Sequence, residues 1–177
     1  MILGYTFSII NYAFYGIGRF MKKKSAILAF CLLSLLAAAI SCYFFNSLSG
    51  YYLLLTQIVI VLLAYIKEKK PFSKVVQYAI YVAAQLFITL ATIFTFQGIS
   101  SVFCYISVTI GILSNWWFNE QKIRNCGVAI CFFSFLYNMS IKNYIGVLEL
   151  AIMIMNIVSY CIYKNKLAIK ETWRWLT

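Results

Sequence analysis

The chain has no histidine, no aspartate, a single proline and only 8 glycines in 177 residues. Without histidine there is no Cys–His or Ser–His nucleophile pair and no imidazole metal ligand. A Glu with neither a His nor an Asp beside it makes a poor hydrolase, so an intramembrane enzyme is the weakest reading. Cysteine offers no alternative chemistry. Cys31, Cys42, Cys104, Cys126, Cys131 and Cys161 form no CxxC pair, and each falls in an apolar run, where Cys packs as a small hydrophobe. No disulfide framework, metal site or cofactor is expected. Pro71 stands in a connector, so proline does not bend the helices.

Charge is scarce, at 11 % of residues, and acidic charge scarcer still, with 4 carboxylates: Glu68, Glu120, Glu149 and Glu171. Three of them lie in polar connectors among basic residues. Glu149 lies inside the apolar stretch from Tyr144 to Tyr163, which contains no Lys, Arg or His. An ionisable group in hydrocarbon costs roughly 2.5–3.5 kcal/mol on insertion scales and usually faces a bundle interior. Glu149 is therefore the first pointer to function.

What is abundant is oil. Hydrophobic residues make up 64 % of the chain, more apolar surface than a soluble domain can hide. The fold class read here is all-α, a single polytopic membrane domain over 1–177. Seven runs reach or approach the 17–25 residues needed to cross: Ile2–Gly18, Ser25–Phe45, Tyr51–Ile66, Val75–Phe96, Ser101–Phe118, Ile123–Tyr137 and Tyr144–Tyr163. The sixth is short at its apolar core and must borrow length from its flanks. No basic n-region or cleavage site marks the first run as a leader, so it is expected to stay as a helix.

The connectors alternate in charge. Basic clusters follow runs one, three, five and seven; the others are nearly neutral. All but Lys142 of the 15 Lys and Arg fall on one side. The positive-inside rule makes that side cytoplasmic, with the N-terminus outside and the C-terminus inside a bacterial plasma membrane. The net charge of +11 is thus a matter of topology, and no nucleic-acid partner is implied. Tyr and Trp frame the ends of the runs as interfacial belts do. Trp173 and Trp175, in the tail 165–177, are expected on the inner membrane surface.

Runs one to three and five to seven share a layout, a basic connector after the first run and a neutral one after the second. Asn46-Ser47-Leu48-Ser49-Gly50-Tyr51 is similar to Asn138-Met139-Ser140-Ile141-Lys142-Asn143-Tyr144. This is a 3+1+3 arrangement: parallel repeats at 1–70 and 99–164 joined by a linker helix at 71–98, as in transporters of the SWEET and PQ-loop type. The likeness to those transporters is architectural, and their Pro-Gln pair is absent.

Polar residues inside the runs mark faces. Tyr5, Ser8, Tyr12 and Tyr15 share about a quarter of the first helix. Gln85, Thr89 and Thr92 form a stripe suited to interhelical hydrogen bonding. Ser107, Gly111 and Ser114 form a small-residue packing seam. Glu149 and Asn156 lie about two turns apart on one face. Thr56 and Gln57, in the repeat partner of the last helix, are expected level with Glu149 across a pseudo-twofold axis. The candidate substrate-binding residues are accordingly Glu149, Asn156, Gln57, Thr56 and Tyr12.

The second half resembles the YgjV family of small bacterial inner-membrane proteins. The likeness runs from Ile106 to Tyr163 and rests on Trp116, Gln121-Lys122-Ile123-Arg124, Tyr137-Asn138, Ser140, Gly146, and Glu149 with Asn156. It implies seven helices. The chain departs from the family at Ile162 and Leu62, where family members carry Arg, and at Thr56, where they carry Asn. Two function classes stand out. One is a small-molecule permease, with a polar pocket at the repeat interface. The other is a non-transporting subunit, receptor or immunity factor that meets a protein partner, or a second copy of itself, through helix contacts. Both place the chain in contact with the lipid bilayer.

Overall fold

The structure is a computed structural model that describes residues 2–176, with side chains described for residues 2–164. The expected placement of Trp173 and Trp175 on the membrane surface lies outside the described side chains.

The fold is all-α: α1 (Ile2–Arg19), α2 (Lys24–Phe44), α3 (Leu48–Lys69), α4 (Lys74–Phe94), α5 (Ile99–Trp117), α6 (Glu120–Ser140) and α7 (Leu148–Leu176). A 3-10 turn at Tyr144–Val147 precedes α7. Five of the helices, α2, α3, α4, α5 and the last, are long and apolar enough to cross a membrane. The sixth run does borrow from its flanks: α6 has 21 residues, opened by Asn119, whose side chain accepts the Lys122 N–H at 3.1 Å. Ser73 caps α4 in the same way. Gly98, at φ +87°, makes the turn into α5 that an L side chain would resist. Pro71 forces an extended backbone before it and so ends α3 at Lys69.

Six helices close a ring. α1 packs on α2, α2 on α3, α3 on α5, α5 on α6, α6 on α7, and α7 returns to α1. α4 leans on α3 and α5 from outside. Its buried residues are Ala84 and Ile88; Val75, Tyr78, Leu86, Ile93 and Phe94 are exposed, as suits a helix surrounded by lipid. The buried apolar residues form two clusters. The larger joins α2 to α5 through Leu28, Leu53, Val61, Ile88, Ile112 and Trp116. The smaller joins α1, α6 and α7 through Tyr12, Cys131 and Ile152.

The connectors sort to two ends. At the neutral end the Gln97 amide donates to the Asn46 carbonyl at 3.3 Å, and the Tyr5 hydroxyl reaches the Lys142 carbonyl. Two turns there are built alike. Asn46 and Lys142 take positive φ, +53° and +60°. Behind each, the next N–H reaches back to close the helix, Ser47 to the Cys42 carbonyl at 3.0 Å and Asn143 to the Asn138 carbonyl at 2.9 Å. This is the Schellman ending, used to join α2 to α3 and α6 to the last helix. At the basic end the Lys24 ammonium pairs with Glu68 at 2.8 Å, while the Lys24 N–H donates to Glu120 at 3.2 Å. Lys67 donates to the Trp116 carbonyl and stands 4.4 Å from the Trp116 ring. The Arg124 guanidinium donates to the Arg19 carbonyl at 3.2 Å and the Met21 carbonyl at 2.6 Å, clamping the turn after α1.

Candidate functional site

Helices surrounded by lipid gain little from pressing apolar faces together; close approach of small residues and interhelical hydrogen bonds hold them instead. The ring follows this rule and leaves a cavity at its centre, of about 90 Å³. All six ring helices contribute to its wall. That is several times the room one water needs.

Two polar clusters line it toward the neutral end. Ser8 on α1 meets Ser41 on α2 at 2.7 Å, and Asn143 donates both to Ser8 at 3.0 Å and to Asn138 at 2.9 Å. Asn138 in turn reaches the Tyr12 hydroxyl at 3.3 Å. On the far side Tyr137 donates to Ser47 at 2.7 Å and lies 3.3 Å from the Cys42 thiol. Deeper, Ser34 donates to Asn11 at 2.6 Å, and Ser107 meets Ser134 at 2.8 Å.

Glu149 stands in this wall. It is 7 % exposed, in the first turn of α7, beside Tyr12 of α1 and Cys131 of α6. A carboxylate suits the first turn, where the helix dipole is positive. Gln57 lines the cavity from α3, its amide lying against Gly111 of α5, where a Cβ would collide with it. The seam of Ser107, Gly111 and Ser114 therefore lets a polar side chain, as well as a backbone, come close.

Of the five residues singled out from the sequence, the structure gathers Glu149, Gln57 and Tyr12 around one cavity. The other two sit elsewhere. Thr56 folds back on its own helix, donating to the Tyr52 carbonyl at 3.1 Å. Asn156 is fully buried against Gly127 of α6; its amide donates to the Ile152 carbonyl at 3.0 Å. Counted along the sequence from the two matched turns, Glu149 comes at the same place as Leu53, and a 3-10 turn stands before α7 where α3 has none.

Arg19 is the residue that sequence reasoning placed in a connector and the structure turns inward. It is 4 % exposed, lines the cavity, and stacks its guanidinium 3.9 Å from the centre of the Tyr15 ring. Its backbone carbonyl accepts from Ser159 at 2.5 Å and from Arg124, so the end of α1 is tied to α6 and α7. The signal was present: Arg19 continues the Tyr5, Ser8, Tyr12, Tyr15 stripe by one more turn. Asn11, Asn115, Asn138 and Asn143 also line the cavity. Asn138 and Asn143 lie by the turn before the last helix, where a single sequence cannot tell a capping side chain from a lining one.

The site can hold a small polar molecule, offering it hydroxyls, amides, one carboxyl and one guanidinium. Among the described residues no cluster of His, Cys, Asp and Glu has a metal-binding arrangement. Comparison with protein families, with curated proteins and with solved structures finds no match to this chain.

Proposed function

We propose that the chain is a small-molecule permease of the bacterial inner membrane, with its substrate bound in the central cavity. The observation that carries this reading is a cavity into which polar side chains, among them a carboxyl group, are turned at the centre of a bundle whose outer surface is oil. Secondary transporters bind at such a site, between structural repeats and near mid-membrane.

The arrangement fits two parallel repeats, 1–70 and 99–164, with 71–98 as the linker helix. The order around the ring is unchanged when the two trios are exchanged. The α3–α5 seam and the α7–α1 seam are then equivalent, Gln57 standing at one and Glu149 at the other. The matched Schellman turns fall at corresponding places. The basic end faces the cytoplasm in this reading, with the N-terminus outside. Rocking of one trio against the other would open the cavity to each side in turn.

The test is a thermal-stability screen of small polar metabolites on the purified protein and on Glu149→Gln, between about pH 5 and pH 8. Glu149 is faced by Tyr12, Cys131 and, further off, Arg19. The permease reading expects ligands that stabilise the wild type, with a pH dependence that Glu149→Gln abolishes. Wild type and variant that are equally stable, with no ligand for either, would contradict it and favour a protein that works through helix contacts.

A further inference from the structure

We infer that the cavity binds a small zwitterion the size of a short α-amino acid, its carboxylate on the Arg19 guanidinium and its ammonium on Glu149. The inference rests on the permease reading and names its substrate class.

A guanidinium, of Arg19, and a carboxyl group, of Glu149, line one cavity and do not touch. Among the described residues, the ion pair at contact distance is Lys24–Glu68 at the basic end. Arg19 and Glu149 both line the cavity, at 4 % and 7 % exposed. The Arg19 Nη1 finds no hydrogen-bond partner among the described residues, and neither does the Tyr15 hydroxyl beside it. Burying a guanidinium nitrogen without an acceptor is costly, and a buried carboxyl gains from a cation beside it. A ligand with one charge would engage one of the two groups and leave the other as it is. A zwitterion satisfies both.

Distance sets its length. Glu149 lies beside Tyr12, and the Arg19 guanidinium stacks on Tyr15. Tyr12 and Tyr15 are neighbours along one face of α1, on the order of 5 Å apart along its axis. Two charge-assisted hydrogen bonds of about 2.8 Å each already cover that axial offset, so the two charges of the ligand must sit close together, as on one α-carbon. A cavity of about 90 Å³ has room for a ligand as small as glycine, alanine or serine. The planar fork of arginine matches a carboxylate, and its fixed position on the Tyr15 ring orients the fork before a ligand arrives.

The experiment is calorimetric titration of the full chain in detergent with alanine, propionate and ethylamine, which share a two-carbon frame but carry both charges, the negative one and the positive one. Alanine is expected to bind about tenfold or more tightly than either half. Glu149→Gln is expected to erase the advantage of alanine over propionate, and Arg19→Gln its advantage over ethylamine. Arg19→Lys keeps the charge and loses the fork, and is expected to fall between. If a variant fails to fold, the three ligands compared on the wild type still decide. Propionate or ethylamine binding as tightly as alanine overturns the zwitterion and leaves the cavity as a binding site. Failure of glycine, alanine and serine to bind overturns it too; the metabolite screen then shows whether the permease reading falls with it.

Discussion

Two helices of similar length, α1 and α4, are built as opposites. The buried residues of α1 are Gly4, Ser8, Tyr12, Gly16, Gly18 and Arg19, small or polar without exception, while Ile2, Leu3, Ile9, Ile10 and Ile17 face outward. The buried residues of α4 are the apolar Ala84 and Ile88. Each helix carries polar side chains, and they are spent differently. On α4, Thr92 and the C-cap Thr95 donate to the carbonyls of Ile88 and Ala91 one turn back, while Thr89 bonds both to the Gln85 carbonyl and, at 3.1 Å, to the Tyr105 hydroxyl of α5, the one interhelical bond of the stripe among the described residues. On α1, Ser8, Asn11 and Tyr12 bond to α2, α6 and the turn before the last helix. A hydroxyl in a membrane helix therefore says little until its partner is known. A threonine can satisfy itself one turn back, whereas an asparagine or a tyrosine must reach a neighbour or a ligand.

That contrast can be broken by substitution, with stability in detergent followed by denaturation. The largest effect is expected at the centre of the ring. Gly111→Leu drives a side chain into the Gln57 amide and should cost about 3 kcal/mol or prevent folding. Asn143→Leu strands Ser8 and Asn138 and should cost about 2 kcal/mol. Ser8→Ala removes one buried hydroxyl from the same network and should cost about 1 kcal/mol. Thr92→Val, on α4, should change stability by less than about 0.5 kcal/mol. If Thr92→Val costs as much as Ser8→Ala, the distinction between self-satisfied and networked hydroxyls fails.

The sequence was most legible where the membrane dictates the pattern. Apolar runs and alternating charge mark the seven helices, and the neutral and basic connectors do gather at opposite ends. The site was legible only in part, because facing cannot be read from depth. Gln57 and Thr56 are consecutive, yet one helical step of about 100° takes one into the cavity and leaves the other bonded to its own backbone. Asn156 shares a face with Glu149, but α6 presses Gly127 on it and takes its side chain out of the cavity. Arg19 was obscured by its neighbours: a basic residue followed by Lys22, Lys23 and Lys24 looks like a loop charge, although its place on the α1 stripe turns it inward. Glu149 was legible from chemistry alone, since a lone carboxylate in hydrocarbon needs an interior to face.

The central claim is that the cavity serves passage across the membrane, and access to Cys31 tests it most directly. Cys31 lines the cavity and is buried. With the other cysteines replaced by alanine, a membrane-impermeant maleimide would be applied to right-side-out and to inverted vesicles. Alternating access predicts that Cys31 is labelled from both sides, and that a ligand found in the screen slows both reactions. Labelling from neither side, or from one side alone whatever ligand is present, would contradict a permease and leave the cavity as a sealed polar core.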